Sequence, residues 1–149
     1  MLAMLPGLAP GRIPPMKPLI LVVDDQPEIR DLMVHVLTHA GFDVNTADDG
    51  RDASLSIGQR VVDLVLTDIN MPGRNGLELI AELKVRRPEL PVIAMSGGGG
   101  KLSREDLLKA ARHVGAVAIL HKPFTMAQLL ASVDLALAGL PPGTAEPER

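Results

Sequence analysis

The chain has 149 residues, 46% of them hydrophobic, which suits one globular domain with a continuous core and does not accommodate a second. A formal net charge of -3 supplies no basic patch and argues against a nucleic-acid-binding module. The absence of cysteine excludes disulfides, thiolate metal sites and cysteine nucleophiles and favours an intracellular setting, and with no Trp or Tyr the only aromatic rings of the Phe, Tyr and Trp type are Phe42 and Phe124.

The opening stretch, MLAMLPGLAPGRIPPMKP, is apolar but lacks a basic leading region and is interrupted at Pro6, Pro10, Pro14 and Pro15, so it does not read as a signal peptide. Residues 1–16 are expected to be a flexible leader, with translation starting at Met1 or at Met16. No apolar run reaches the roughly 18 residues of a membrane span, so a soluble, cytoplasmic protein is expected.

Four short apolar runs then end abruptly in residues able to handle phosphate or a metal. Leu19 to Val23 ends in Asp24 and Asp25, Leu64 to Thr67 in Asp68, Pro91 to Met95 in Ser96, and Val117 to Leu120 leads to Lys122. Each run is too short for a helix and mostly apolar on both faces, the pattern of a buried parallel strand. Phe42 to Ala47 is a plausible further strand.

Between the strands lie helical spacings. After Pro27, suited to a first helical turn, Ile29, Leu32, Met33, Val36, Leu37 and Ala40 recur on one face until Gly41. Asp49 to Gln59 is a weaker helix, with Ser54, Ser56 and Gly58 as indifferent helix formers. Met71, Pro72 and Gly73 lead into a helix with Leu79, Ile80 and Leu83 inward, stopped near Arg87 by Pro88. Gly97 to Gly100 form a pliable loop, after which Ser103 and Asp106 suggest a capping box opening a helix with Leu107, Leu108 and Ala111 on one face. The last helix is expected to bury Met126, Leu129, Leu130, Val133 and Leu137, and residues 141–149 to form a disordered tail. Five alternations of strand and helix imply a doubly wound α/β domain with a five-stranded parallel sheet.

In such a sheet ligands bind outside the carboxyl ends of the strands, where the polar residues fall. Three carboxylates in one crevice repel one another and call for a hard cation such as Mg2+. With the ion bound, one carboxylate can attack a phosphoryl group and form an acyl phosphate, while Lys122 and Ser96 supply charge and a hydroxyl donor to its oxygens.

The segments VVDD, LTDINMPGRNG, AMSG and KPF, in this order and spacing, resemble the receiver domain of bacterial two-component response regulators over about residues 17–140. The resemblance implies a flavodoxin-like (βα)5 fold with strand order 2-1-3-4-5. It makes Asp68 the phosphoacceptor and Asp25 and Asp68 direct ligands of Mg2+, with Asp24 acting through water and Asn70 through its backbone carbonyl. Ser96 matches the family's switch hydroxyl and Lys122 its phosphate-binding lysine, followed by a cis peptide to Pro123. Gly97 would leave the acceptor open to phosphohistidine. Where the family commonly has Tyr or Phe, this chain has Ile119, so the usual aromatic readout is missing.

The implied function is that of a stand-alone, non-enzymatic receiver, phosphorylated by a sensor histidine kinase or histidine phosphotransfer protein and acting on a downstream protein partner, with a weak homodimer as a further association. The alternative within the class is a phosphate shuttle or sink. A haloacid-dehalogenase-like phosphatase would want a second Asp where Asn70 stands. Gly100 and Lys101 lack the flanking residues of a P-loop. His35 and His39, one turn apart without a third ligand in sequence reach, read as an exposed helix face, and Leu135 as an interface candidate.

Overall fold

The structure, a computed structural model, describes residues 17–59, 61–70, 76–97 and 103–139. Strands and helices alternate throughout: β1 (Leu19–Val23), α1 (Pro27–His39), β2 (Asp43–Ala47), α2 (Gly50–Gln59), β3 (Leu64–Asp68), α3 (Gly76–Arg86), β4 (Val92–Ser96), α4 (Arg104–Val114), β5 (Ala118–His121) and α5 (Met126–Ala138). The strands form one five-stranded sheet in the order β2-β1-β3-β4-β5, all parallel. The sheet and its order are those expected.

β1, β3 and β4 are buried at every position, which is why their sequences show no polar alternation. Because side chains alternate across a strand, each contributes to two cores. Leu21, Val23, Val65, Val92 and Ala94 pack with α2, α3 and α4 side chains such as Ala53, Leu79, Ile80, Leu83, Leu107 and Ala111. Ile20, Val22, Leu64, Leu66, Ile93 and Met95 pack with α1 and α5 through Met33, Val36, Leu37, Leu129 and Val133. The edge strand β2 is largely uncovered, as its DVNTA sequence requires.

The helix ends follow their sequences. Asp49 Oδ1 accepts from Asp52 N (2.9 Å) at the start of α2, the helix with the weakest sequence signal. Ser103 accepts from Asp106 N at 3.0 Å, so that pair caps α4. The complete capping box is at α5, where Thr125 and Gln128 bond each other's backbone. Gly115, with φ of 116°, ends α4 in the left-handed conformation that favours glycine.

Three core assignments are corrected. Met126, the first residue of α5, is 61% exposed, and the buried stripe of the helix starts at Leu129. Leu32 is 57% exposed on the flank of α1, where Met33, Val36 and Leu37 alone are buried, and Ala40 is exposed too. Leu135 is half-buried. The expected leader, the Met71 to Gly73 turn, Gly98 to Gly100, the Leu108 and Ser54 side chains and the tail lie outside the described residues.

Candidate functional site

Register brings the site together. A row of paired residues crosses the sheet through Ala47, Val23, Thr67, Ala94 and Ile119. The next positions on the central strands β1 and β3 are Asp24 and Asp68, which are therefore neighbours at the carboxyl end of the sheet. Asp24 is fully buried and Asp68 is 4% exposed. Both continue the alternation that points Val22 and Leu66 toward α1 and α5, and so does Lys122, two residues after Leu120.

Lys122 Nζ donates to Asp24 Oδ2 at 2.8 Å and to Asp68 Oδ2 at 3.2 Å. The backbone fixes the rest of each carboxylate: Gln26 N donates to Asp24 Oδ1 (2.9 Å) and Asn70 N to Asp68 Oδ1 (3.0 Å). Lys122 N donates to Ser96 O at 2.8 Å, which carries the β4–β5 pairing up to the site. The Lys122–Pro123 peptide is cis.

Asp25 sits closer to solvent, and carboxylate oxygens of Asp24, Asp25 and Asp68 lie within 4.8 Å of one another. Three carboxylates face one ammonium, so two negative charges stay uncompensated when all are ionised. A donor set made only of oxygens, with that charge deficit, fits a hard divalent cation that retains some of its water. Asn70 is exposed beside it.

The electrostatics carry the same imbalance. Burial pushes the Asp68 carboxyl above its ordinary range, opposed by the Asn70 N–H and the Lys122 charge and reinforced by Asp24. For Lys122 burial alone would lower the ammonium, but the bond to Asp24 and the charges of both aspartates outweigh it and raise it. The two shifts are compatible because Lys122 serves two carboxylates, while Asp68 has only a share of one cation.

Ser96 is buried at 2% exposure, and its hydroxyl donates to Gly97 O (3.3 Å) rather than to Asp68. It belongs to the opposite alternation, with Val92 and Ala94, toward α4. Ile119 packs on that same side, half-buried against the core.

Two residues join the site that sequence reasoning missed. Arg30 Nη1 donates to the Asp24 carbonyl oxygen at 2.6 Å, tying α1 to the acidic turn. Helical spacing alone does not announce this, since Arg30 lies six residues on from its partner. Gly76 packs against the Asp68 carbonyl and Ile69 Cα so tightly that no Cβ fits. A glycine opening a helix, where it is a poor former, was its only signal.

A family model described as the response regulator receiver domain matches residues 20–134. The DNA-binding transcriptional regulator NtrC of Klebsiella pneumoniae is 36% identical over 117 residues, covering 78% of this chain and 24% of that protein. The chain thus spans about a quarter of that curated relative. Among solved structures, the receiver domain of NtrX from Brucella abortus has a TM-score of 0.74 at 37% identity, covering 80% of this chain and 98% of that one. The chemotaxis protein CheY4 of Vibrio cholerae also has a TM-score of 0.74, at 29% identity, covering 81% and 99%.

Proposed function

This chain belongs to the response regulator receiver domain family, and from that membership we propose that it accepts a phosphoryl group from a histidine kinase or histidine phosphotransfer protein onto Asp68. The observation that carries the reading is the convergence of Lys122 Nζ on Asp24 and Asp68 at 2.8 and 3.2 Å within a three-aspartate crevice.

In this reading a carboxylate oxygen of Asp68 attacks the phosphorus of a phosphohistidine in line with the P–N bond. A P–O bond forms, the P–N bond breaks with its electron pair left on the imidazole nitrogen, and the product is an acyl phosphate. Asn70 N holds one Asp68 oxygen and so orients the nucleophile. Lys122 already contacts the other oxygen and is positioned to follow the charge onto the new phosphoryl group. The Ser96 hydroxyl exchanges its weak bond to Gly97 O for one to a phosphoryl oxygen. Asp25, Asp68 and the Asn70 carbonyl would hold Mg2+ directly and Asp24 through water, and the bound ion would supply two positive charges against the crowded anions. Signalling then follows from the altered surface, which engages or releases a protein partner. The protein acts as a signalling receiver whose chemistry is confined to gaining and losing its own phosphate, in the cytoplasm. No helix among the described residues is long and apolar enough to cross a membrane.

The aliphatic Ile119, half-buried toward α4, favours a second reading in which Asp68 passes phosphate on to another histidine with little conformational output. Reverse transfer to a histidine protein would establish that variant.

Mass spectrometry after incubation with acetyl phosphate and Mg2+ tests the main reading. One added phosphoryl group in the wild type, absent in Asp68→Asn and absent without the metal, is the expected result. Undiminished labelling of Asp68→Asn would overturn it.

A further inference from the structure

α1 carries a second group of potential ligands, away from the acidic crevice. His35 and His39 are both exposed, and their rings stack with centroids 5.7 Å apart and an interplanar angle of 29°. Neither imidazole is held by a hydrogen bond or ion pair to another described residue, so their ring nitrogens are available. The i, i+4 spacing places both on one face of the helix, the arrangement by which two histidines on a helix grip one metal ion.

Position adds to this. His39 is the last residue of α1, at the negative end of the helix dipole, which favours a bound cation. At 1.5 Å per residue, His35 is about 12 Å along the helix from Pro27 at the crevice end, too far to share an ion with the aspartates.

The two sites also differ in donor chemistry. The crevice offers only carboxylate and carbonyl oxygens, suited to Mg2+, whereas neutral imidazole prefers borderline metals of the zinc, copper and nickel group. We propose that His35 and His39 form a surface site for such a transition-metal ion, with two protein ligands and water in the remaining positions. No third His, Asp or Glu among the described residues joins them, so the ion is accessible and exchangeable, in contrast to a closed structural site with four protein ligands.

The test is a Zn2+ titration of the full chain in excess Mg2+, read through the carbon-bound imidazole protons by NMR. The resonances of His35 and His39 should shift together and saturate, while those of His113 and His121 do not follow. Both side chains are exposed, so His35→Gln and His39→Gln should fold normally. Each should weaken Zn2+ binding by about tenfold or more, since loss even of an outer-shell partner typically costs about 10- to 100-fold. Mg2+ alone should leave both rings unmoved. The proposal is overturned if the two rings do not shift at sub-millimolar Zn2+, or if the double Gln variant binds as tightly as the wild type.

Discussion

Gly76, the first residue of α3, packs directly against the backbone carbonyl of Asp68. Both neighbours of a would-be side chain there are backbone atoms of Asp68, the proposed phosphoacceptor, and of Ile69 after it, and neither can turn aside as a flexible side chain would. Gly76→Ala must therefore displace α3 or Asp68 itself. A loss of about 1–3 kcal/mol is expected from such overpacking, together with slower labelling of Asp68 by acetyl phosphate. Urea unfolding and the rate of phosphorylation would be measured on the same preparation; wild-type values for both would contradict the contact.

Lys122→Ala removes the only ammonium that, among the described residues, is bonded to Asp24 and Asp68. The metal-free protein should lose about 3 kcal/mol, the typical consequence of leaving a buried charge without its partner. Mg2+ should still bind and restore more stability to the variant than to the wild type, because the ion then has no competitor for the carboxylates. Thermal melts in chelator and in Mg2+ check both signs, and a variant indifferent to the metal would count against shared occupancy.

Asp68 provides a pH test. Its folded-state value is raised above the ordinary 3.8, mainly by burial. The folded state therefore binds its proton more tightly than the unfolded chain does. The stability this provides is fully present below 3.8 and is lost as pH rises through the raised value. At neutral pH without metal, the ionised side chain is a net burden, so Asp68→Asn should be more stable than the wild type. The advantage should shrink as pH falls toward the ordinary carboxylate range and reverse when Mg2+ is added at pH 7. Melting curves against pH in chelator would reveal a constant difference if the burial argument is wrong.

A methyl group added at Gly97 would lie 3.7 Å from Lys122 Cδ, ordinary van der Waals contact. Gly97→Ala should thus fold with stability within about 0.5 kcal/mol of the wild type. Its methyl narrows the approach to Asp68, so transfer from a phosphohistidine protein should slow more than labelling by the smaller acetyl phosphate. Equal slowing of both donors would argue against a steric effect.

Beryllofluoride with Mg2+, a mimic of the aspartyl phosphate, should shift the amides of Ser96, Gly97 and α4 more than that of Ile119. Ser96 must change its bond from Gly97 O to the ligand, whereas Ile119 lacks a ring to swing inward. Largest shifts centred on Ile119 would make the aliphatic side chain itself the switch.

The central strands and the acidic crevice could be read from the chain because burial on both faces writes itself as uninterrupted apolar runs, and each run stops where its polar residue begins. Met126 and Leu32 were misassigned for a common reason. Helical periodicity identifies a face but not where the surface opposite that face ends, and both residues lie past its margin. Gly76 and Arg30 escaped because their roles concern backbone: one admits a carbonyl at close range and the other binds one. Backbone partners leave no complementary residue type elsewhere in the sequence to betray them.

Strand parity has a mechanical consequence. By alternation Asp24 and Asp68 follow Val22 and Leu66 on the α1 and α5 side, where Lys122 joins them, whereas Ser96 follows Val92 and Ala94 on the α4 side with Ile119. In the proposed function the sheet is thus a bulkhead, with the groups that would take up phosphate on one side and Ser96 and Ile119 on the other, and the two meet at its rim. At that rim the Lys122 amide is bonded to the Ser96 carbonyl. The two compartments share a hinge pin there, and a Ser96 hydroxyl that turned toward a phosphoryl group on Asp68 would move in a frame already fastened to Lys122.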